Sequence, residues 1–255
     1  MTTPQSFPEL LAGLLGDGGS RPLVTAYDDA TGERTELSVA SYANWVAKTA
    51  NLLVDELMLE PGETVLLDLP PHWLTTVFLG GAWAAGLAVA VRSHGQPVVG
   101  PDPAVHAVVC GPDDPAVHLG LGVPVVACSL DPFARPFSRA LPEGVLDHGT
   151  LWPGQADVFE PVPAPGRGTV AWQPGASTQG ELLARAADGA GPMRLLTDAD
   201  PCLEEGVPAF LRPLVSGGSL VLVRRPDDSR WASHRASERA TAELRRTPAP
   251  GRTPG

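Results

Sequence analysis

The chain has 255 residues and is 43% apolar, so it can bury a real core as one large α/β domain or two small ones. Its formal net charge of −11 argues against a nucleic-acid partner, whose phosphates are met by basic surface. Lys48 is the one lysine, and glycine and proline number 28 each, a pattern of GC-rich coding more than of chemistry.

The opening MTTPQSFPEL has neither a basic stretch nor a long apolar core, so no export signal is expected. Residues 7–15 read as a short amphipathic helix. Residues 23–27 and 33–37 read as a hairpin around the turn Asp28-Asp29-Ala30-Thr31-Gly32. Ser38 is a cap for a long helix with Val39, Tyr42, Val46, Ala50, Leu53 and Leu57 on one face. EPGETVLLDLPPHWLTTVFLGGAWAAGLAVAV, residues 60–91, then reads as strand, helix, strand. Its apolar runs suit parallel strands covered on both faces, with Pro70-Pro71 opening the helix and Gly86 closing it. Residues 69–91 are uncharged and long enough to cross a bilayer, but they are broken by Pro70, Pro71 and Gly86 and lack a flanking basic cluster. No membrane association is expected.

A polar loop follows Arg92. Strands are expected over 105–109 and 123–128, with a short helix within 111–119. The Pro- and Gly-rich stretch 131–168 reads as an ordered connector. A second α/β rhythm begins with a strand at 169–172, and Thr178 with Glu181 forms a capping box for a helix to about Ala187. Strands at 193–197 and 220–223 flank a helix over 203–215, and 229–244 reads as a polar helix. The expected fold is therefore α/β, with two lobes of largely parallel sheet flanked by helices: 1–130, then the connector 131–168, then 169–244, with a disordered tail at 245–255.

TELSVASYANWVAKTANLLVDEL, followed by EPGETVLLDLPPHW, resembles the N-terminal region of adenylate-forming enzymes, the acyl-CoA synthetases and their relatives. Pro61, Gly62, Glu63 and Val65 match their G-x-x-PGD-x-V phrase, with Glu63 in place of Asp. Leu214, Gly217, Leu220 and Val221 match their later L-x-x-G-x-x-x-V. The likeness covers about 21–244 and rests on scaffold motifs. More narrowly, the chain is similar to short actinobacterial proteins that keep only this N-terminal portion.

The departures bear on function. The family's phosphate loop is rich in Ser, Thr and Gly and ends in Pro-Lys-Gly. Here the matching stretch is AWQPGASTQGELLARAA, in which Gln173, Gly175, Ser177 and Thr178 occupy a shortened loop without a basic residue. It reads as a vestigial phosphate loop or as a plain capped strand-to-helix turn. Of the family's Pro-x-x-His, Pro201 is kept, but Glu204 stands at the histidine. The family's nucleotide motifs and catalytic lysine would fall beyond Leu244. Adenylation develops negative charge on a phosphate and needs Lys, Arg or Mg²⁺ to offset it. No catalytic residue, metal or cofactor is therefore assigned. Trp172, Asp198, Asp200 and Glu204 are the polar candidates for a crevice, because Asp198 and Asp200 follow a strand's carboxyl end.

Other chemistry finds little support. No GxSxG, HxxxH or HExxH occurs, and His106 with Cys110 makes two ligands, not a zinc site. Asp113-Asp114 reads as a turn. Cys110, Cys128 and Cys202 are odd in number and far apart, which suits buried thiols in a reducing cytoplasm. Residues 1–223 carry 10 basic and 25 acidic side chains, and residues 224–255 carry 8 and 4. The basic 224–246 segment is either a helix lying on an acidic body or a contact for an acidic protein partner. Three functions stay open: an inactive adenylate-forming relative acting as a binding or regulatory module, one part of a split acyl-adenylating ligase completed by another chain, and a protein-interaction module using the basic segment. No small-molecule ligand can be named.

Overall fold

The computed structural model describes residues 4–91, 104–187, 191–203 and 206–246. The loop expected after Arg92, most of the expected tail, and Glu204 lie outside them.

Helix α1 (Phe7–Gly16) buries Phe7, Leu10, Leu11 and Leu14. Strands β1 (Pro22–Asp28) and β2 (Glu33–Ser38) form the expected hairpin. Ser38 caps α2 (Val39–Asn51), its hydroxyl accepting the Ser41 amide at 3.1 Å, and the helix widens into a π-turn at Leu52–Glu56. Next come β3 (Thr64–Asp68), α3 (Trp73–Ala84) and β4 (Ala88–Val91), with β3 and β4 parallel as expected. Pro70 and Pro71 precede α3 instead of entering its first turn, because His72 is its cap and takes the Leu74 amide on Nδ1 at 3.2 Å. Strands β5 (Ala107–Cys110) and β6 (Val125–Ala127) are joined through a 3₁₀ turn at Pro115–Leu121.

The segment read as a connector contributes structure of its own, β7 (Val145–Asp147) and the short α4 (His148–Leu151). Then follow β8 (Val170–Trp172), β9 (Ser177–Thr178), α5 (Gln179–Ala186), β10 (Arg194–Thr197), α6 (Gly206–Val215), β11 (Ser219–Arg224), α7 (Asp228–Ser237) and β12 (Ala242–Leu244). The polar helix expected over 229–244 thus stops at Ser237. Arg239 turns left-handed at φ 50°, the Thr241 amide bonds the Arg194 carbonyl, and β12 pairs in parallel with β10.

The strands form two sheets, each mostly parallel. One runs β12-β10-β11-β1-β2 and the other β7-β6-β5-β3-β4-β8-β9. The sheets do not follow the two halves of the sequence. The N-terminal hairpin completes the sheet built by the C-terminal strands, and β8-β9 extends the sheet of the first half.

Side-chain alternation sorts the layers. In β11, Leu220 and Leu222 enter the large core between the sheets, while Val221 and Val223 face α7 on the outer side with Trp231. In the other sheet Val65, Leu67 and Val109 join the same large core, whereas Leu66, Val108 and Cys110 form a smaller cluster on the opposite face. Helix α3 runs through the middle, with every one of its residues buried, and touches β1, β3, β4, α1 and α2. That explains its uninterrupted apolar sequence without a bilayer. Among the described residues no helix is long and apolar enough to span a membrane.

Close approach of α2 to α3 depends on Gly80 and Gly81. A Cβ on Gly80 would meet Tyr42 Oη and Val46 Cγ2 at 2.8 Å, and one on Gly81 would meet Thr49 Cγ2 at 2.6 Å. Alanine is the better helix former, yet here overpacking outweighs propensity. We expect Gly81→Ala to lose about 1–3 kcal/mol, read as a lower urea midpoint at unchanged slope. An unchanged or raised midpoint would show that the helices do not meet as described.

Candidate functional site

The stretch matching a phosphate loop is a closed turn. After β8, Pro174–Ala176 turns the chain through left-handed Gly175 (φ 78°) and Ala176 (φ 49°), with the Ala176 amide bonding the Gln173 carbonyl at 3.1 Å. The chain then doubles back as β9 against β8 and enters α5. Gln173, Ser177 and Thr178 of this turn each have a hydrogen-bond partner. Gln173 donates its amide to the Val89 carbonyl at 2.9 Å and its side-chain Nε2 to Thr64 Oγ1 at 3.2 Å. Ser177 Oγ accepts Arg185 Nη2 at 3.1 Å. Thr178 Oγ1 accepts the Glu181 amide at 3.3 Å, and Glu181 Oε2 takes the Thr178 amide at 2.8 Å, the expected capping box. The Thr178 amide and hydroxyl hold the Glu181 carboxyl below its ordinary range. A carboxylate therefore already occupies the positive end of α5, where a helix would otherwise receive a phosphate. The turn contains no cation, but Arg185 of α5 reaches it, a residue the sequence reading did not single out.

The crevice candidates are spread over both sheets. Trp172 is buried at the end of β8, paired with Val89 and Ser177. Asp198 and Asp200 lie beyond the carboxyl end of β10, in the other sheet. Asp198 Oδ1 accepts the Arg246 amide at 2.6 Å, and Asp200 Oδ1 accepts the Cys202 amide at 2.9 Å.

A narrow cleft opens instead where β1 and β11 end side by side, paired Asp28 to Arg224, and where α3 begins. Asp28, Glu33, Thr35, His72, Trp73 and Arg224 line it. Burial works to raise the Asp28 carboxyl, and bonds from Arg225 and the Ala30 amide overcome it and hold it below its ordinary value. Burial first, and Arg224 second, push His72 down to about 3, so the ring is neutral near pH 7. With Nδ1 accepting from Leu74, its proton sits on Nε2. The cleft holds about 10 Å³, room for roughly one water. Strand register brings Asp28 and Arg224 together, which is why neither was visible beforehand. The signal that could have pointed to them is their place as the last residues of apolar strands.

His106 Nδ1 accepts the Thr64 amide at 3.2 Å. Burial first, and Asp68 second, push the Cys110 thiol up to about 12. Among the described residues no group of three or more His, Cys, Asp or Glu is arranged to hold a metal.

No family model matches the chain. Against known proteins it is 36% identical over 259 residues to a TIGR03089 family protein of Mycobacterium tuberculosis, covering 96% of this chain and 100% of the relative. The chain belongs to the TIGR03089 family. Among solved structures, this TIGR03089 member is similar to a fatty acyl CoA synthetase of M. tuberculosis, with TM-score 0.73 at 14% identity. It is also similar to a putative long-chain-fatty-acid CoA ligase of Rhodopseudomonas palustris, with TM-score 0.76 at 15% identity. A third likeness is to the N-terminal domain of FACL13 from M. tuberculosis, with TM-score 0.71 at 14% identity. These matches cover 94%, 95% and 93% of this chain but 49%, 63% and 62% of the others. The chain thus has the fold of the N-terminal part of adenylate-forming enzymes and spans about half to under two thirds of those chains.

In this TIGR03089 member the basic segment is tied to the hairpin. Arg225 Nε donates to Asp28 Oδ1 at 2.9 Å. Asp29 takes His234 Nε2 at 2.7 Å and the Asp227 amide at 2.8 Å. Arg235 pairs with Glu243 at 2.9 Å. Buried Glu238 accepts from Arg34 at 2.9 Å and makes short bonds with Tyr27 and Arg194. Burial works to raise the Glu238 carboxyl, but bonds from Arg34, Tyr27 and Arg194 prevail and bring it to about 2. Because this folded value lies below the ordinary 4.5, the stability it confers is present above pH 4.5 and is lost as pH falls toward 2. Glu238→Gln should lower the urea midpoint at pH 7 and flatten its decline across that acid window. An unaltered acid slope in the variant would show that this carboxylate does not hold the segment.

Proposed function

We propose that this protein is an adenylate-forming-like member of its family that does not itself activate acids with ATP and serves as a binding or regulatory module. The observation that carries the reading is the closed turn at Gln173–Thr178. Attack at a nucleotide phosphate needs free donors and positive charge aimed at the developing anion. Here the Thr178 amide and hydroxyl already donate to Glu181, Ser177 Oγ accepts from Arg185, and the negative charge of Glu181 sits at the start of α5. Among the described residues Arg185 is the one cation bonded to the turn, and Ser177 engages it. The likeness to a fatty acyl CoA synthetase supports the ancestry of the scaffold.

The same reading places the protein in a reducing cytoplasm of an actinobacterium. It is supported by the buried, unpaired Cys110, Cys128 and Cys202 and by the relative in M. tuberculosis. A ligase split between two chains is the second reading, and the partial coverage of the synthetases favours it.

ATP–pyrophosphate exchange with the purified chain, Mg²⁺ and a panel of fatty and aromatic acids tests both. We expect no exchange by the chain alone. Acid-dependent exchange by the chain alone would overturn the first reading. Exchange that appears only with a co-purified partner would establish the second.

A further inference from the structure

At the amino ends of β1, β10 and β11, opposite the cleft, lies a shallow, open hollow of about 520 Å³. Three arginines line it: Arg21, Arg194 and Arg239. Its two carboxylates are already engaged. Glu238 is held by Arg34 and Arg194, and Glu36 pairs with Arg34 at 2.5 Å. Arg194 is also engaged, with three of its donors on Ser219, Thr25 and Glu238. The other two guanidiniums keep donors in reserve. Arg21 uses Nη1 on the Gly218 carbonyl at 3.0 Å. Arg239 is exposed, and its side chain has no hydrogen-bond or ion-pair partner among the described residues.

The backbone of Arg239 makes its identity informative. Its amide bonds the Ala236 carbonyl at 3.2 Å, and the Ala240 amide bonds the Arg235 carbonyl at 3.0 Å, so it holds the left-handed position that closes α7. Glycine is the favoured residue there, because a Cβ is strained at positive φ. An arginine accepts that strain and places a long, unpaired cation on the rim of the hollow. The same left-handed backbone occurs at Met58, Asp114, Leu130, Ala134, Ala176 and Arg225, so it is the free cation and not the strain that points to a ligand here.

We propose that this hollow binds a phosphorylated small molecule, with the phosphate held by Arg21 and Arg239 and the organic part lying on Pro192 and Met193. Guanidinium forks match phosphate oxygens in pairs, and two of them can neutralise a dianion. The exposed Ser237 on the rim adds a hydroxyl. The site lies at the other end of the strands from the cleft and does not depend on how the turn at Gln173–Thr178 is read.

Ribose 5-phosphate is the probe, with ribose and succinate as controls, read by the shift in melting temperature of the full chain and by titration calorimetry. We expect ribose 5-phosphate to raise the melting temperature with saturation and the controls to leave it unmoved. Arg239→Gly should melt no lower than the parent without ligand, because it relieves the left-handed strain, and should weaken ribose 5-phosphate at least tenfold. Arg21→Gln should weaken it also. Absence of saturable binding at millimolar ribose 5-phosphate, an equal response to succinate, or undiminished affinity in Arg239→Gly would each overturn the proposal.

Discussion

The fold depends on one helix that has no solvent side. Helix α3 lies between the sheets, and its glycine pair lets α2 settle on it at a separation no side chain would permit. Burial on all sides requires an apolar sequence all round, and although the buried Trp73 Nε1 has no partner among the described residues, most polar groups at the helix start are answered internally. His72 does this by taking the Leu74 amide, and Thr75 does it by donating its hydroxyl to the Pro70 carbonyl at 2.8 Å. Tyr42 then fastens α2 across the interface, its hydroxyl donating to the Thr76 carbonyl at 2.6 Å. Other helices of the central layer reach the same element. Gln179 joins α5 to it by donating to the Trp83 carbonyl at 2.8 Å, and it receives the Phe7 amide of α1 at 2.8 Å. A single buried amide thus ties three helices, which is why Gln179 is buried despite being polar.

Local patterning carries far in this chain and stops at the sheets. The β3-α3-β4 unit, the Ser38 cap and the Thr178–Glu181 box are all written in short stretches, and each forms as its residues dictate. Strand exchange between the halves is not written there. Leu23 and Val24 read as a strand, but nothing in their neighbourhood says that Val24 will lie beside Leu220, almost two hundred residues on. Arg239 misled the reading of the last helix for a related reason. Residues 229–244 have helical composition, and the left-handed turn that stops α7 uses a residue type that rarely signals one. Strand β7 was missed because its three residues sit in a stretch rich in proline and are recruited by β6, whose register supplies the ladder.

The candidate site was legible as a change of loop and not as a geometry. A loop too short and without a basic residue was visible in GASTQG, and the capping box explains what fills it. The destination of Arg185 was not visible, because it needs the turn of α5 that brings position 185 back to Ser177. Asp198 and Asp200 were chosen on the sound ground that carboxyl ends of parallel strands form crevices. Asp200 accepts the Cys202 amide two residues on, as short acidic side chains at chain reversals commonly do, while Asp198 takes the Arg246 amide from the far end of the chain.

The uneven charge along the sequence has a structural meaning of its own. The C-terminal segment is basic because the hairpin it covers is acidic. Asp28, Asp29 and Glu33 crowd one end of the hairpin, and Arg224, Arg225, Arg230 and His234 come to meet them. Surface pairs of this kind add little apiece, but the buried carboxylates of Asp29 and Glu238 need their partners, since either would otherwise be an unpaired charge out of water. A segment whose cations are consumed this way has few left for a protein partner. Arg239 escapes this accounting: it has no ion-pair partner among the described residues, and it sits in a backbone conformation that favours glycine at the edge of the open hollow. Charge that is spent on folding and charge that is held back from it are thus separated within one short helix and its cap, and the part held back is where a ligand of opposite sign has something to meet.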